Sequence, residues 1–435
     1  MLRKRYRMAV PLVVLCVLLC VPPQASADVS PGEIIDKTNW EEADGLVPEP
    51  LLNWVKNGRL VLDLGKLNYD PSIYWPKHVL EALQGNIGKY DIDEEGWIVE
   101  TATGNPAEHI VGFPFPKIEM DDPRAGEKII HNKAYTWYFF ADFWLTYQIL
   151  WIGSSSGLER TVSQKVQQKS YQGWPGISEL RNPDGLEKSH IGLAVAPADL
   201  KGIAILTWRY VSPEKQDSTF GYVPAIRRVR QMSPANRSDA IAGSDMCADD
   251  GNGYDGKVQA FEWKLLRQQE AIVAYIDENP QALEQNEYGE WCTTNRQKYA
   301  GFGFEKEGWQ GVTWAPTDYV WVRRPVYVLE MRSKDKYYNY GTQYIWIDAE
   351  TYASYYKVIY DRAGDYWKTG WGAFSGYESP GKEMLATMLS HAAMVDDRSN
   401  HASGSELASP NNRIHLFAEI NERDFSLAGF QKFCK

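Results

Sequence analysis

Cysteine is scarce, with five in 435 residues, and two of them, Cys16 and Cys20, fall in an apolar leader. Cys247, Cys292 and Cys434 remain, none with a CxxC partner, so neither a thioredoxin-type motif nor a cysteine-rich zinc module is encoded. Two readings stay open for Cys247 and Cys292: a disulfide stapling two loop-rich segments, or reduced thiols throughout. The disulfide would stabilise by roughly 4 kcal/mol in the chain-entropy model. Histidine is equally sparse. The seven stand at 78, 109, 131, 190, 391, 401 and 415, so no H-x-x-x-H or H-x-H pair exists, and no metal or other cofactor is expected. Basic charge is in deficit, with 46 Lys and Arg against 57 Asp and Glu. That imbalance repels phosphate backbones and disfavours nucleic acid as a partner. Long apolar runs are missing too. Beyond the leader nothing approaches the roughly 20 residues that cross a bilayer as a helix, so no transmembrane segment is expected in the mature chain.

The leader itself reads as a secretory signal. Arg3, Lys4, Arg5 and Arg7 form a basic start, Met8–Val21 an apolar run too short to span, and Ala25-Ser26-Ala27 a small-residue cleavage site. An uncleaved anchor is the alternative, supported by hydrophobicity alone. A lipoprotein site would need a small residue before its cysteine, and Cys20 follows Leu19. Cleavage after Ala27 removes four basic residues and takes the formal net charge from −11 to −15.

What the chain does have is rings: 17 Trp, 26 Tyr and 14 Phe. Residues 28–115 read as a mixed segment packed on the main domain. Helical stretches are predicted at Gly32–Trp40, Pro48–Trp54 and Pro76–Leu83, and short strands at Arg59–Leu64 and Trp97–Thr101. From about residue 117 the pattern turns to strands. Leu206, Trp208 and Tyr210 alternate with polar neighbours, as do Phe261, Trp263 and Leu265. Tyr319–Met331 is a long run whose Pro325 marks an edge or a bulge. Gln343–Asp348, Tyr355–Asp361 and Tyr366–Trp371 read as a meander, Glu383–Val395 as a late helix and Arg413–Ile420 as a last strand. Antiparallel strands without interleaved helices exclude a doubly wound parallel sheet. The expected class is mainly β (α+β), with residues 116–435 forming one large curved antiparallel sheet and a few covering helices.

Four motifs each admit a plainer explanation. Gly153-Ser-Ser-Ser-Gly157 matches a nucleophile elbow around Ser155, but strand-like alternation follows where a helix is required, so a hairpin turn explains it. Gly251-Asn-Gly-Tyr-Asp-Gly256 matches a dinucleotide fingerprint, yet it follows an acidic loop that repels pyrophosphate. That loop, with Asp245, Asp249, Asp250, Asn252 and Asp255, offers clustered oxygens for calcium but lacks EF-hand register, which favours a solvated turn-rich loop. Arg227, Arg228 and Arg230, with Arg323 and Arg324, concentrate positive charge in an acidic chain. They suit an anionic headgroup or acidic partner, or ordinary pairing with acids on neighbouring strands. No catalytic constellation emerges, and a non-catalytic protein is expected.

Several stretches resemble a bacterial family, the domain of unknown function 1329. They are Gly112-Phe-Pro-Phe-Pro-Lys-Ile with Asp122-Pro-Arg-Ala-Gly-Glu-Lys128, and Gly221-Tyr-Val-Pro-Ala-Ile-Arg-Arg-Val-Arg230. Ser238–Asp245 through Phe261-Glu-Trp-Lys-Leu265, and Tyr344-Ile-Trp-Ile-Asp348 through Tyr360-Asp361, complete the set. The resemblance implies a periplasmic Gram-negative protein similar in fold to the lipoprotein carriers LolA and LolB. Those have a curved sheet like an unclosed barrel, closed by helices over a hollow that holds acyl chains. It also implies a lipid or other hydrophobic small molecule as ligand, and a membrane transporter of the resistance-nodulation-division class as partner. On such a sheet Trp208, Tyr210, Phe261, Trp263, Tyr344, Trp346, Tyr356 and Tyr360 are the candidate ligand-facing rings, with Arg228 and Arg230 as the anionic grip. The same rings could simply fill a large core. The rival from another class is a secreted glycan-binding protein or glycoside-active enzyme using aromatic platforms.

Overall fold

The computed structural model describes residues 30–407, 409 and 411–434; the leader and its cleavage point after Ala27 lie outside the described residues. In the N-terminal segment β1 (Ile34–Ile35) pairs with β2 (Leu62–Asp63), and β3 (Tyr90–Ile92) with β4 (Ile98–Glu100). The helix predicted over Gly32–Trp40 is therefore corrected. Ile34 and Ile35 make ladder bonds, and only Trp40–Ala43 coils, as a 3-10 turn. Helices α1 (Glu49–Lys56) and α2 (Lys77–Asn86) form where proline punctuates the chain, with Pro48 and Pro76 as their N-caps. A cap needs no amide donor, so proline costs nothing there. Helix α3 (Ala125–Tyr138) lies in the region read as strand-rich and is a second correction.

Six consecutive strands then run as a meander: β5 (Phe143–Gly153), β6 (Gly157–Ser170), β7 (Leu186–Ala196), β8 (Ala204–Tyr210), β9 (Ser218–Val223) and β10 (Arg228–Met232). The rest are β11 (Phe261–Tyr275), β12 (Gln281–Gln285), β13 (Trp291–Thr293), β14 (Val320–Ser333) and β15 (Gln343–Asp348). They continue through β16 (Ser354–Tyr360), β17 (Tyr366–Glu378), β18 (Leu385–Asp396), β19 (His401–Glu406) and β20 (Ile414–Leu416). All sixteen belong to one sheet, mostly antiparallel, with short parallel contacts of β17 to β11 and to β12. The hydrogen-bond path partly returns on itself. β5 pairs with both β19 and β20, while β17 pairs with β16, β18, β11 and β12. The expected mainly β class, a large curved sheet with few helices, is what the chain forms.

Pro325 sits opposite Glu270 of β11, one residue before β14 begins to pair with β15 at Val326. The missing amide donor thus falls where the strand has an open side. The late helix read at Glu383–Val395 is instead strand β18, paired on one side with β17 and on the other with β19. One core cluster joins the N-terminal segment to the sheet through residues such as Trp54, Trp75, Phe113, Trp314 and Trp321. A smaller cluster, Ile191, Leu206, Phe220, Tyr222, Phe425 and Phe430, fills the β7–β10 wing beneath α4 (Leu427–Phe433).

Candidate functional site

The sequence-predicted rings fall in separate places rather than around one hollow. Trp208 lies on the wing, stacked edge-on against Phe220 at 4.9 Å and donating Nε1–H to the Phe425 carbonyl at 2.8 Å. Tyr210 is buried two residues on, its hydroxyl 3.1 Å from Ser218. Phe261 and Trp263 pack with Tyr254 at 5.1 and 5.0 Å. Trp346 and Tyr356 meet edge-to-face at 5.7 Å deep in the core, and the Tyr356 hydroxyl donates to the Ile272 carbonyl. Tyr344 and Tyr360 are half-buried neighbours with ring centroids 5.9 Å apart. Arg228 and Arg230 are exposed on β10, the terminal strand of the sheet, two strands from β8, which carries Trp208 and Tyr210.

The aspartate-rich loop is neither solvated nor arranged around calcium: Asp249, Asp250 and Asp255 meet largely buried cations, and Asp245 lies 2.6 Å from His401 Nδ1 and accepts from Ser403 at 2.7 Å. The Arg209 guanidinium grips Asp217, with Nη2 at 2.8 Å, and reaches Asp255 at 3.1 Å. Lys188 donates to Asp255 at 2.6 Å and Lys357 to Asp250 at 2.6 Å. Arg237 bridges Asp217 and Asp249 at 3.3 and 2.5 Å, while the Tyr338 and Tyr340 hydroxyls donate to Asp249 and Asp250. Burial alone would raise the Asp217 and Asp250 carboxyls, yet Arg209 and Arg237 in one case, and Lys357 in the other, hold both below the ordinary range. Every carboxylate oxygen so engaged is unavailable to a hard cation, so this hub fastens the wing to β16.

The other two sequence features resolve locally. Gly153–Gly157 is the turn between β5 and β6, with Ser155 exposed and strand on both sides, so no elbow exists. Cys247, Cys292 and Cys434 are free thiols. Cys247 is buried in the acidic loop, whereas the Cys292 sulfur lies 3.1 Å from His415, so they form no staple.

A cleft of about 360 Å³ opens where the N-terminal segment meets β14. Gly65 donates its amide to the Trp321 carbonyl at 2.9 Å, and Asn68 donates to Glu278 at 2.7 Å, which lays residues 64–68 along the sheet. The walls are Pro31, Leu64, Leu67, Tyr69, Pro71, Trp321 and Val322, and the rim carries Lys66, Asp70, Arg323 and Arg324. Arg324 is fixed: Nε and Nη2 donate to Asp348 at 2.9 and 3.0 Å, and Nη2 also to Glu350 at 2.7 Å. Burial opposes its charge, but Asp348 outweighs that and keeps it firmly protonated. Arg323 stands 3.9 Å from Glu270. Of the five arginines that the sequence singles out, these two line a cavity. A second pocket, within the core by Trp75, Phe140, Tyr352 and Phe374, holds only about 10 Å³.

The fold and this cleft define a mainly β protein with a concave, largely apolar site bordered by three basic residues and one acid. The chain belongs to the family of proteins of unknown function DUF1329, whose model matches residues 34–430. Among curated proteins, none matches the sequence. A solved domain from Vibrio parahaemolyticus, described as an outer membrane lipoprotein-sorting protein domain, is similar at 16% identity, covering 71% of this chain and 100% of that one, with a TM-score of 0.47. A DUF1329 family protein from Desulfovibrio piger is similar at 16% identity over 70% of this chain and 98% of its own, TM-score 0.46. A LolA superfamily protein from Nitrosomonas europaea follows at 14% identity over 69% and 97%, TM-score 0.40.

Proposed function

We propose that the protein is a non-catalytic periplasmic carrier that holds a lipid-like molecule with an anionic end. The observation that carries this reading is the cleft, where Leu64, Leu67, Pro71 and Val322 offer apolar surface beside Lys66, Arg323 and Arg324. Apolar walls bury a hydrocarbon chain, and the exposed Lys66 ammonium orients a carboxylate or phosphate. Its volume of about 360 Å³ is at the low end of the ~300–1,000 Å³ typical of small-molecule sites, so a single short chain fits better than a multi-chain anchor. The secretory leader supports an extracytoplasmic setting. Hand-over to a membrane transporter of the resistance-nodulation-division class, implied by the family resemblance, is part of the same proposal and is tested by crosslinking in the host envelope.

The direct test is titration of the purified protein with a fluorescent fatty acid. Leu67→Asp, which puts a carboxylate into the apolar wall, should weaken binding by at least about tenfold, since an unpaired charge in apolar surroundings costs several kcal/mol. Lys66→Glu should weaken it less, and only for the anionic probe. Equal affinity of wild type and Leu67→Asp would remove the cleft from consideration.

A further inference from the structure

We infer that Glu290, Cys292 and His415 form a binding site for one divalent transition-metal ion of the zinc class. One ligand atom from each lies within 4.8 Å of the others. The Cys292 Sγ is 3.1 Å from the His415 Nδ1, which is 2.7 Å from a Glu290 carboxylate oxygen. Sulfur, imidazole nitrogen and carboxylate oxygen together are a borderline-soft donor set that suits zinc and excludes calcium or magnesium as preferred occupants. The present spacings are those of hydrogen bonds. Zinc–sulfur and zinc–nitrogen distances of roughly 2.3 and 2.0 Å require tetrahedral edges of about 3.5 Å. The metal therefore takes the place of the bridging protons while the side chains open by a few tenths of an ångström. Three protein ligands leave the fourth position to water or to an arriving group.

The fold places these residues without help from sequence spacing. Cys292 on β13 and His415 on β20 are register partners, and His415 is in turn opposite Trp144 on β5. All three side chains thus share one face of the sheet. The imidazole lies flat on Trp144, centroids 3.7 Å apart and 19° from parallel, which fixes its plane. Glu290 is oriented by the Glu419 amide at 3.1 Å and by Asn286 Nδ2 at 2.8 Å. Such outer partners hold ligands in a metal-ready orientation. The site also sits on a weak seam: β13 and β20 are three residues each and share two register pairs. An ion joining residues 290 and 292 to residue 415 clamps β13 to β20, which β5 holds on its other side.

The test uses the full-length protein, stripped with chelator and titrated with zinc by calorimetry and with cobalt by absorption. The expected result is one ion per chain, with a thiolate-to-cobalt charge-transfer band. Cys292→Ser and His415→Ala should abolish the band, while Cys247→Ser and Cys434→Ser retain it. Asn286→Ala should weaken zinc by about tenfold or more, as loss of an outer partner does. Circular dichroism of each variant separates a lost site from a lost fold, and saturating zinc should raise the wild-type Tm but not that of Cys292→Ser. No binding by folded wild type, or a band that survives Cys292→Ser, overturns the assignment.

Discussion

Glu406 shows at a single residue how this sheet sets a pH dependence. It lies on β19 directly opposite His391, buried, and burial together with the Glu305 charge raises its carboxyl from 4.5 to about 7. The folded state therefore favours the protonated form. Its stability is fully present below pH 4.5 and falls as pH rises through about 7, by about 3 kcal/mol. Glu406→Gln should raise the urea midpoint at pH 8 and leave it unchanged at pH 4; a gain of equal size at both would show that charge is not the cause. Arg209 carries the opposite lesson. It binds Asp217 and Asp255 at once, so Arg209→Met leaves the buried Asp217 with Arg237 alone and the half-buried Asp255 with Lys188 alone. Chemical denaturation should show a loss of about 3–5 kcal/mol. Asp249, Asp250 and Asp255 stand out in the sequence as a cluster, but Asp217 does not, and the cations come from residues 188, 209, 237 and 357. No local pattern connects positions so far apart.

At the scale of elements, alternation in the sequence located most long strands, because a half-buried pleat writes its period of two directly into residue order. It failed where neighbours, not periodicity, decide the conformation. Residues 385–396 are rich in Ala, Leu and Met, strong helix formers, yet they form β18 because β17 and β19 bind both edges and both faces are buried. α3 errs the other way. Its Ile, Thr, Tyr and Trp favour strands, but Asn132 donates to and accepts from Phe115, and Lys133 donates to the Tyr254 carbonyl. Those bonds hold a helix against its propensity. The C-terminal α4 offers a test at this scale. Phe430 is fully buried in the wing cluster that Trp208 borders. Phe430→Ala should destabilise by about 3–5 kcal/mol and shift Trp208 emission to the red, whereas an unchanged midpoint would mean that α4 does not hold the wing.

For the whole molecule, the cleft shows why the site was only partly legible. Arg323 and Arg324 stood out as charge in an acidic chain, but their apolar counterpart, residues 64–71, arrives from about 250 positions earlier in the chain. The same long-range burial predicts acid lability. His131, His190 and His391 each have a ring nitrogen without a hydrogen-bond partner, and burial lowers each from 6.5 to about 3. They fold neutral, whereas the unfolded chain takes up protons below pH 6.5, so stability is intact above that value and drains as pH falls towards 3. At pH 4.5 each costs about 2.7 kcal/mol, roughly 8 kcal/mol together. Glu406 returns at most about 3 kcal/mol over the same interval, so the histidines prevail. The balance is comparable with a typical net stability of about 5–15 kcal/mol. Tryptophan fluorescence and circular dichroism should therefore record cooperative unfolding between about pH 6 and 4. His391→Gln should move that midpoint to lower pH, and a fold that persists at pH 3.5 would contradict the neutral burial of these rings.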